Sequence, residues 1–157
     1  MTGIDISHFM PQAEIAGDDA EDTLLLQSMA AEAREYIESF PWCPGLREIY
    51  FAAGIGGVVG LFVAEFPDPL PTGDSMVWVV TGDLPSAYFV ADEAPTAREA
   101  FHVYKDLMEQ WISSTEKERE SMSVFPVAAQ PTPENFSALR ERLEFLERES
   151  RNWLQGY

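Results

Sequence analysis

The chain has 157 residues, 46% of them hydrophobic, with four tryptophans. That length and composition suit one domain with a real core and exclude global disorder. The formal net charge is −17, from 27 acidic and 10 basic residues, which excludes counterion-displacing nucleic-acid binding and attraction to an anionic membrane surface but leaves a basic protein as a compatible partner.

The charge is uneven. Residues 1–40 hold nine acids and one base, residues 41–112 ten and three, and residues 113–157 eight and six. Only two lysines occur, Lys105 and Lys117, so genome composition, salt adaptation or plain solubility also accounts for an acidic surface. Cys43 is the sole cysteine, which excludes an intramolecular disulfide and any cysteine-based metal cluster. The start, Met1-Thr2-Gly3-Ile4-Asp5-Ile6-Ser7-His8, has neither a basic nor an apolar signal-peptide region, and the longest apolar run, 55–64, is too short to span a bilayer. A cytoplasmic location is expected.

Residues 1–17 show no periodicity and read as a mobile leader, with a single α+β domain over 18–157. A helix is predicted over 19–39, where Leu25, Leu26, Met29, Ala33, Tyr36, Ile37 and Phe40 recur at three and four. Asp18, Asp19, Glu21 and Asp22 sit at its N-terminus, where negative charge complements the helix dipole, and Pro41 ends it. Four strands follow, at 47–53, 58–66, 76–81 and 86–91, rich in β-branched and aromatic residues. Short connections, the first a hairpin turn at Gly54-Ile55-Gly56-Gly57, predict an antiparallel meander.

Alternation within the strands carries more information than their boundaries. In the second, Val58, Phe62 and Phe66 oppose Val59, Leu61 and Val63; in the third, Met76, Trp78 and Val80 oppose Val77 and Val79. A half-solvated sheet alternates apolar with polar residues, so this sheet must be covered on both faces, by its own helices or by another chain. A helix over 96–112 follows, with Thr96 and Glu99 placed as a capping box. Val124-Phe125-Pro126-Val127 is expected to pack on the body. Thr132-Pro133-Glu134 starts a last helix with Phe136, Leu139, Leu143, Leu146, Ser150 and Trp153 at a three-four spacing.

No catalytic signature emerges. Gly54-Ile55-Gly56-Gly57-Val58-Val59-Gly60 begins like a dinucleotide fingerprint, but Val59 occupies the third glycine's place and a strand follows instead of a helix. Gly60 is then a bulge or a close-packing site. His8 lies in the leader, and His102 falls off its helix's apolar face among Arg98, Lys105, Asp106 and Glu109. One histidine beside carboxylates is short of the three or four ligands of a metal site. Cys43 lacks a base and sits in negative surroundings, so it reads as a small packed hydrophobe. Asp83, Asp92 and Glu93 flank the fourth strand as weak carboxylate candidates, and Asp83 also suits an Asx-type bond in its Gly-Asp-x-Pro turn. No cofactor and no metal are expected.

The most distinctive stretch is 77–90, containing Gly82-Asp83-Leu84-Pro85-Ser86-Ala87-Tyr88. With Trp42-Cys43-Pro44-Gly45 before it and the Thr-Pro-Glu helix after it, residues 36–147 resemble a group of bacterial proteins of unknown function. Their shared plan is helix, W-x-x-G, β-meander with GDLP-x-A-Y, two helices. The resemblance implies that architecture and a bacterial origin; it carries no functional residue.

The reading is therefore an α+β fold: an N-terminal helix, a four-stranded antiparallel meander and two C-terminal helices packed on the sheet. The leading function is non-catalytic binding of a basic protein, as in an immunity or antitoxin-type inhibitor. The alternatives are a small-molecule-binding protein or enzyme with a pocket between sheet and helix, and a homo-oligomeric module, for instance a homodimer. Candidate binding residues are Trp42, Asp83, Tyr88, Asp92 and Glu93; Trp42 and Tyr88 lie near turns, where partial exposure is expected.

Overall fold

The computed structural model describes residues 4, 6–90, 94–117 and 133–154, with only the backbone for 114–117. Helix α1, Ala20–Glu38, starts where the sequence places it: Asp19 is the N-cap, and its Oδ1 accepts from the Asp22 backbone N–H at 2.8 Å. Four strands follow, β2 Glu48–Ile55, β3 Val59–Glu65, β4 Met76–Gly82 and β5 Ala87–Val90. Helix α2, Ala97–Lys117, opens on one half of the expected capping box: the Glu99 N–H donates to Thr96 Oγ1 at 3.2 Å, but the Glu99 carboxylate accepts from that hydroxyl, at 3.1 Å, in place of the Thr96 N–H. Helix α3 is Pro133–Arg148, and a single further turn, α4, is Ser150–Trp153.

The sheet is an antiparallel meander, but it has five strands rather than four. Strand β1, Met10–Pro11, pairs with Phe51 and Tyr50 at the open side of β2, giving the order β1-β2-β3-β4-β5. It comes from the stretch read as a mobile leader, where Ile4 and Ile15 are also buried. Two residues ending in proline carry no periodicity to recognise. The 124–127 segment lies outside the described residues.

The first hairpin turns two residues later than expected. Gly54 and Ile55 stay in the ladder opposite Gly60 and Val59, and the reversal is made by Gly56, Gly57 and Val58, with Gly57 at φ +79° and the Val58 N–H on the Ile55 carbonyl at 2.9 Å. Val58 consequently sits in the turn and packs on the opposite face from Phe62. The bulge belongs to β2, between Phe51 and Ala53. Gly60 is the close-packing site, since a Cβ there would lie 2.4 Å from the Phe62 ring and 3.2 Å from Met29 Cε of α1.

Both faces are covered from within the chain, which resolves the doubly apolar strands. Helix α1 lies on the face of Ile49, Phe51, Phe62, Phe66, Val77 and Val79, with Leu26, Met29, Ala30, Ala33 and Ile37 buried against them. Buried Thr81 of β4 donates from its hydroxyl to the Met29 carbonyl at 3.0 Å, tying the helix to the sheet. The other face, with Leu61, Val63, Trp78, Val80 and Phe89, packs against Phe101, Tyr104, Met108, Trp111, Leu139 and Leu143 of α2 and α3. There α2 lies on β3, α4 on β2, and α3 against α2 and α4. Among the described residues, no helix is long and apolar enough to cross a membrane.

Candidate functional site

Helix α1 ends at Ser39, whose backbone N–H turns back to the Glu35 carbonyl and whose hydroxyl donates to the Tyr36 carbonyl at 2.6 Å. Pro41 forbids a further turn. The chain reverses instead, with the Cys43 N–H on the Phe40 carbonyl at 3.0 Å. This places the Phe40 and Trp42 rings together, stacked with centroids 5.8 Å apart and an interplanar angle of 23°. Strand β5 then brings Tyr88 into the group. Its alternation sends Ala87 and Phe89 to the α2 side and Tyr88 to the α1 side. Tyr88 lies 5.0 Å from Phe40 edge-on and 5.3 Å from Trp42. Tyr36 and Phe66 complete the cluster. Burial, with Tyr88 beside it, holds the Tyr36 hydroxyl well above its ordinary value.

The opposite wall is the connection between β3 and β4. A compact turn sets it, with the Leu70 N–H on the Asp74 carbonyl at 2.8 Å and the Gly73 N–H on the Leu70 carbonyl at 2.7 Å. The Thr72 hydroxyl donates to Asp74 Oδ2 at 2.7 Å. Between the walls is a cleft of about 500 Å³, with Val77, Tyr88 and Val90 along its sheet side and Trp42, Leu70 and Asp74 around it. Its lining is mostly apolar, with Thr72, Asp74 and the polar ends of Tyr88 and Trp42 as the side-chain exceptions. Trp42 is 39% exposed, whereas Trp78, Trp111 and Trp153 are buried.

The fold thus brings together two of the five sequence candidates, Trp42 and Tyr88. Asp83 lies elsewhere, beside a smaller hollow of about 300 Å³ lined by Leu25, Met29, Glu32 and Gly57. Its carboxylate pairs with Arg142 of α3, 59 residues away, rather than with its own turn. Asp92 and Glu93 fall outside the described residues. His102 is exposed, and Cys43 is half-buried against the α1 core. Sequence reasoning missed Leu70, Thr72, Asp74 and Val90. Alternation with Tyr88 was a usable signal for Val90; nothing local marks the loop residues.

A hollow of about 580 Å³ between α2 and α3 is larger but is a solvated seam lined mostly by charged side chains. Lys105 Nζ lies 3.3 Å from Glu147 and 3.7 Å from Glu109, and the Glu147 bond raises its pKa. Exposed ion pairs of this kind contribute little. No known protein family, curated protein or solved structure matches the chain.

Proposed function

We propose that this chain is a non-catalytic protein-binding module that engages a basic protein partner, as an immunity or antitoxin-type inhibitor does, in a cytoplasmic and bacterial setting. The observation that carries the reading is the cleft itself: half-exposed Trp42 against Tyr88, at the end of a helix holding five acids and one base. Interface anchors are characteristically aromatic, with charge around them that speeds encounter and selects the partner. The last turn of α1 leads directly into the aromatic pair and carries exposed Glu35 and Glu38; half-buried Asp74 lines the cleft, and exposed Asp68 precedes it in the same connection. The few polar groups in the cleft argue against catalysis, which needs a nucleophile or base oriented by a further group.

The test is affinity capture from the native lysate at low and high salt, with Trp42→Ala as a parallel bait. The expected result is a basic protein held by the wild type, released by salt and absent from the variant, since exposed charge pairing is screened. Identical retention by both baits overturns the reading. The cleft's volume also suits a small apolar ligand with one cationic group, which is the second reading. The homo-oligomer is the less favoured alternative, because the chain's own helices pack on both faces of the sheet and Trp153 is buried, donating from Nε1 to the Leu146 carbonyl at 2.9 Å.

A further inference from the structure

We infer that the partner docks as an extended basic segment paired along the outer edge of β5, with one arginine or lysine side chain laid through the cleft toward Asp74. The inference rests on the reading of the chain as a binder of a basic protein, and adds the mode of binding.

The two ends of the sheet are finished differently. The β1 end is only two residues long and closes on Pro11, which has no N–H to offer. The β5 end is Ala87-Tyr88-Phe89-Val90, with no charge and no proline, and among the described residues it pairs only with β4. A strand edge with unpaired N–H and C=O groups accepts a further strand unless charge, proline or a covering element blunts it. Here the edge borders the cleft directly, since Tyr88 and Val90 belong to both. A strand added beside β5 alternates its side chains across the sheet plane, so every second one is delivered to the cleft.

The lining selects the side chain. Trp42, Leu70, Pro71, Val77, Tyr88 and Val90 suit an alkyl stem, and Asp74 is the one carboxylate. An arginine or lysine has that division, an apolar stem ending in a cation, and its head gains from an aromatic face. A second copy of this chain offers the opposite: −17 on each molecule opposes edge-to-edge pairing, and β5 has no base to present.

The probe is an acetylated, amidated peptide of alternating arginine and valine, compared with the same peptide N-methylated on its arginines, N-methylated on its valines, and with glutamate replacing arginine. Affinities are measured for the wild type and for Asp74→Asn, together with hydrogen exchange of the β5 amides. Edge pairing requires that one methylated peptide lose at least about tenfold in affinity and the other bind nearly as before, because only alternate N–H groups of an added strand face the sheet. Asp74→Asn weakens the parent peptide several-fold, and the β5 amides that do not bond to β4 gain protection. Equal binding of all three arginine peptides overturns the edge mode while leaving the basic-partner reading standing. Arginine peptides that bind no better than the glutamate peptide overturn both. A salt-stable dimer with β5 amides already protected also overturns the inference.

Discussion

The two faces of the sheet are equally apolar but are closed by different means. On the α2–α4 side, helices cover the strands and bury the aromatic residues, and several of these bond their polar tips internally. Trp78 Nε1 donates to the Ala94 carbonyl at 2.7 Å, and the Tyr104 hydroxyl to the Pro85 carbonyl at 2.6 Å. The sequences of α2 and α3 are nearly balanced in charge, each with four acids and three bases. On the other side one long helix does most of the covering, with Ile15 of the N-terminal segment beside it. A helix is about 10 Å across, whereas five strands at a spacing of about 4.8 Å span roughly 19 Å. The uncovered part is left to Phe40, Trp42 and the loop containing Leu70 and Asp74, which cover it incompletely. The cleft is the geometric consequence of one helix on a face too wide for it.

That contrast is sharpest in the tryptophans. Trp78→Ala should cost about 3–5 kcal/mol in denaturant unfolding, the range for truncating a buried aromatic. Trp42→Ala should cost less than about 1 kcal/mol while abolishing capture of the partner, because its ring is partly solvated already. If the two costs proved equal, Trp42 would be core and the cleft would lose its anchor.

Gly60→Ala probes how closely α1 approaches the sheet. The added Cβ meets the Phe62 ring and Met29 Cε, so a loss of about 1–3 kcal/mol is expected from overpacking. A neutral result would mean that α1 rides loosely on this face. Alkaline titration compares the faces through two tyrosines, Tyr36 on the α1 side and Tyr104 on the other. Burial raises both hydroxyls above their ordinary value of 10.0. Below about pH 10 both are neutral, folded or unfolded, and stability does not depend on them. Above it the unfolded phenols ionise first, so stability falls as pH rises, by up to about 1.4 kcal/mol per pH unit for buried Tyr104 and less for half-exposed Tyr36. Circular dichroism against pH should therefore show a shallower alkaline decline for Tyr104→Phe than for the wild type. The smallest effect belongs to Arg142→Ala, which releases exposed Asp83 and should change stability by less than about 1 kcal/mol.

Much of this plan was legible in the chain, and particular residues show why. Asp19 caps α1 and Thr96 pairs with Glu99 because caps act over three residues and need no distant partner. The opposed sets Phe62/Phe66 and Leu61/Val63 declared a sheet buried on both faces. What escaped was non-local or too short to show a period. Strand β1 is recognisable only by its pairing with Phe51 and Tyr50. Asp83 was expected to serve its own turn, yet Arg142 claims it from the far end of the chain. Trp42 and Tyr88 were singled out separately, each for its place near a turn; that they touch was not visible, nor that Asp74 faces the same space.

The sequence by itself determined the order of the long helices and of strands β2 to β5, the two apolar faces and the acidity of the first forty residues, since these depend on local spacing and on composition. Only the tertiary structure decided which elements cover which face, that one helix spans too little of its side, and that the gap falls beside Trp42, Tyr88 and an uncharged sheet edge. Those outcomes depend on distances between residues tens of positions apart, which close packing sets and no local pattern encodes.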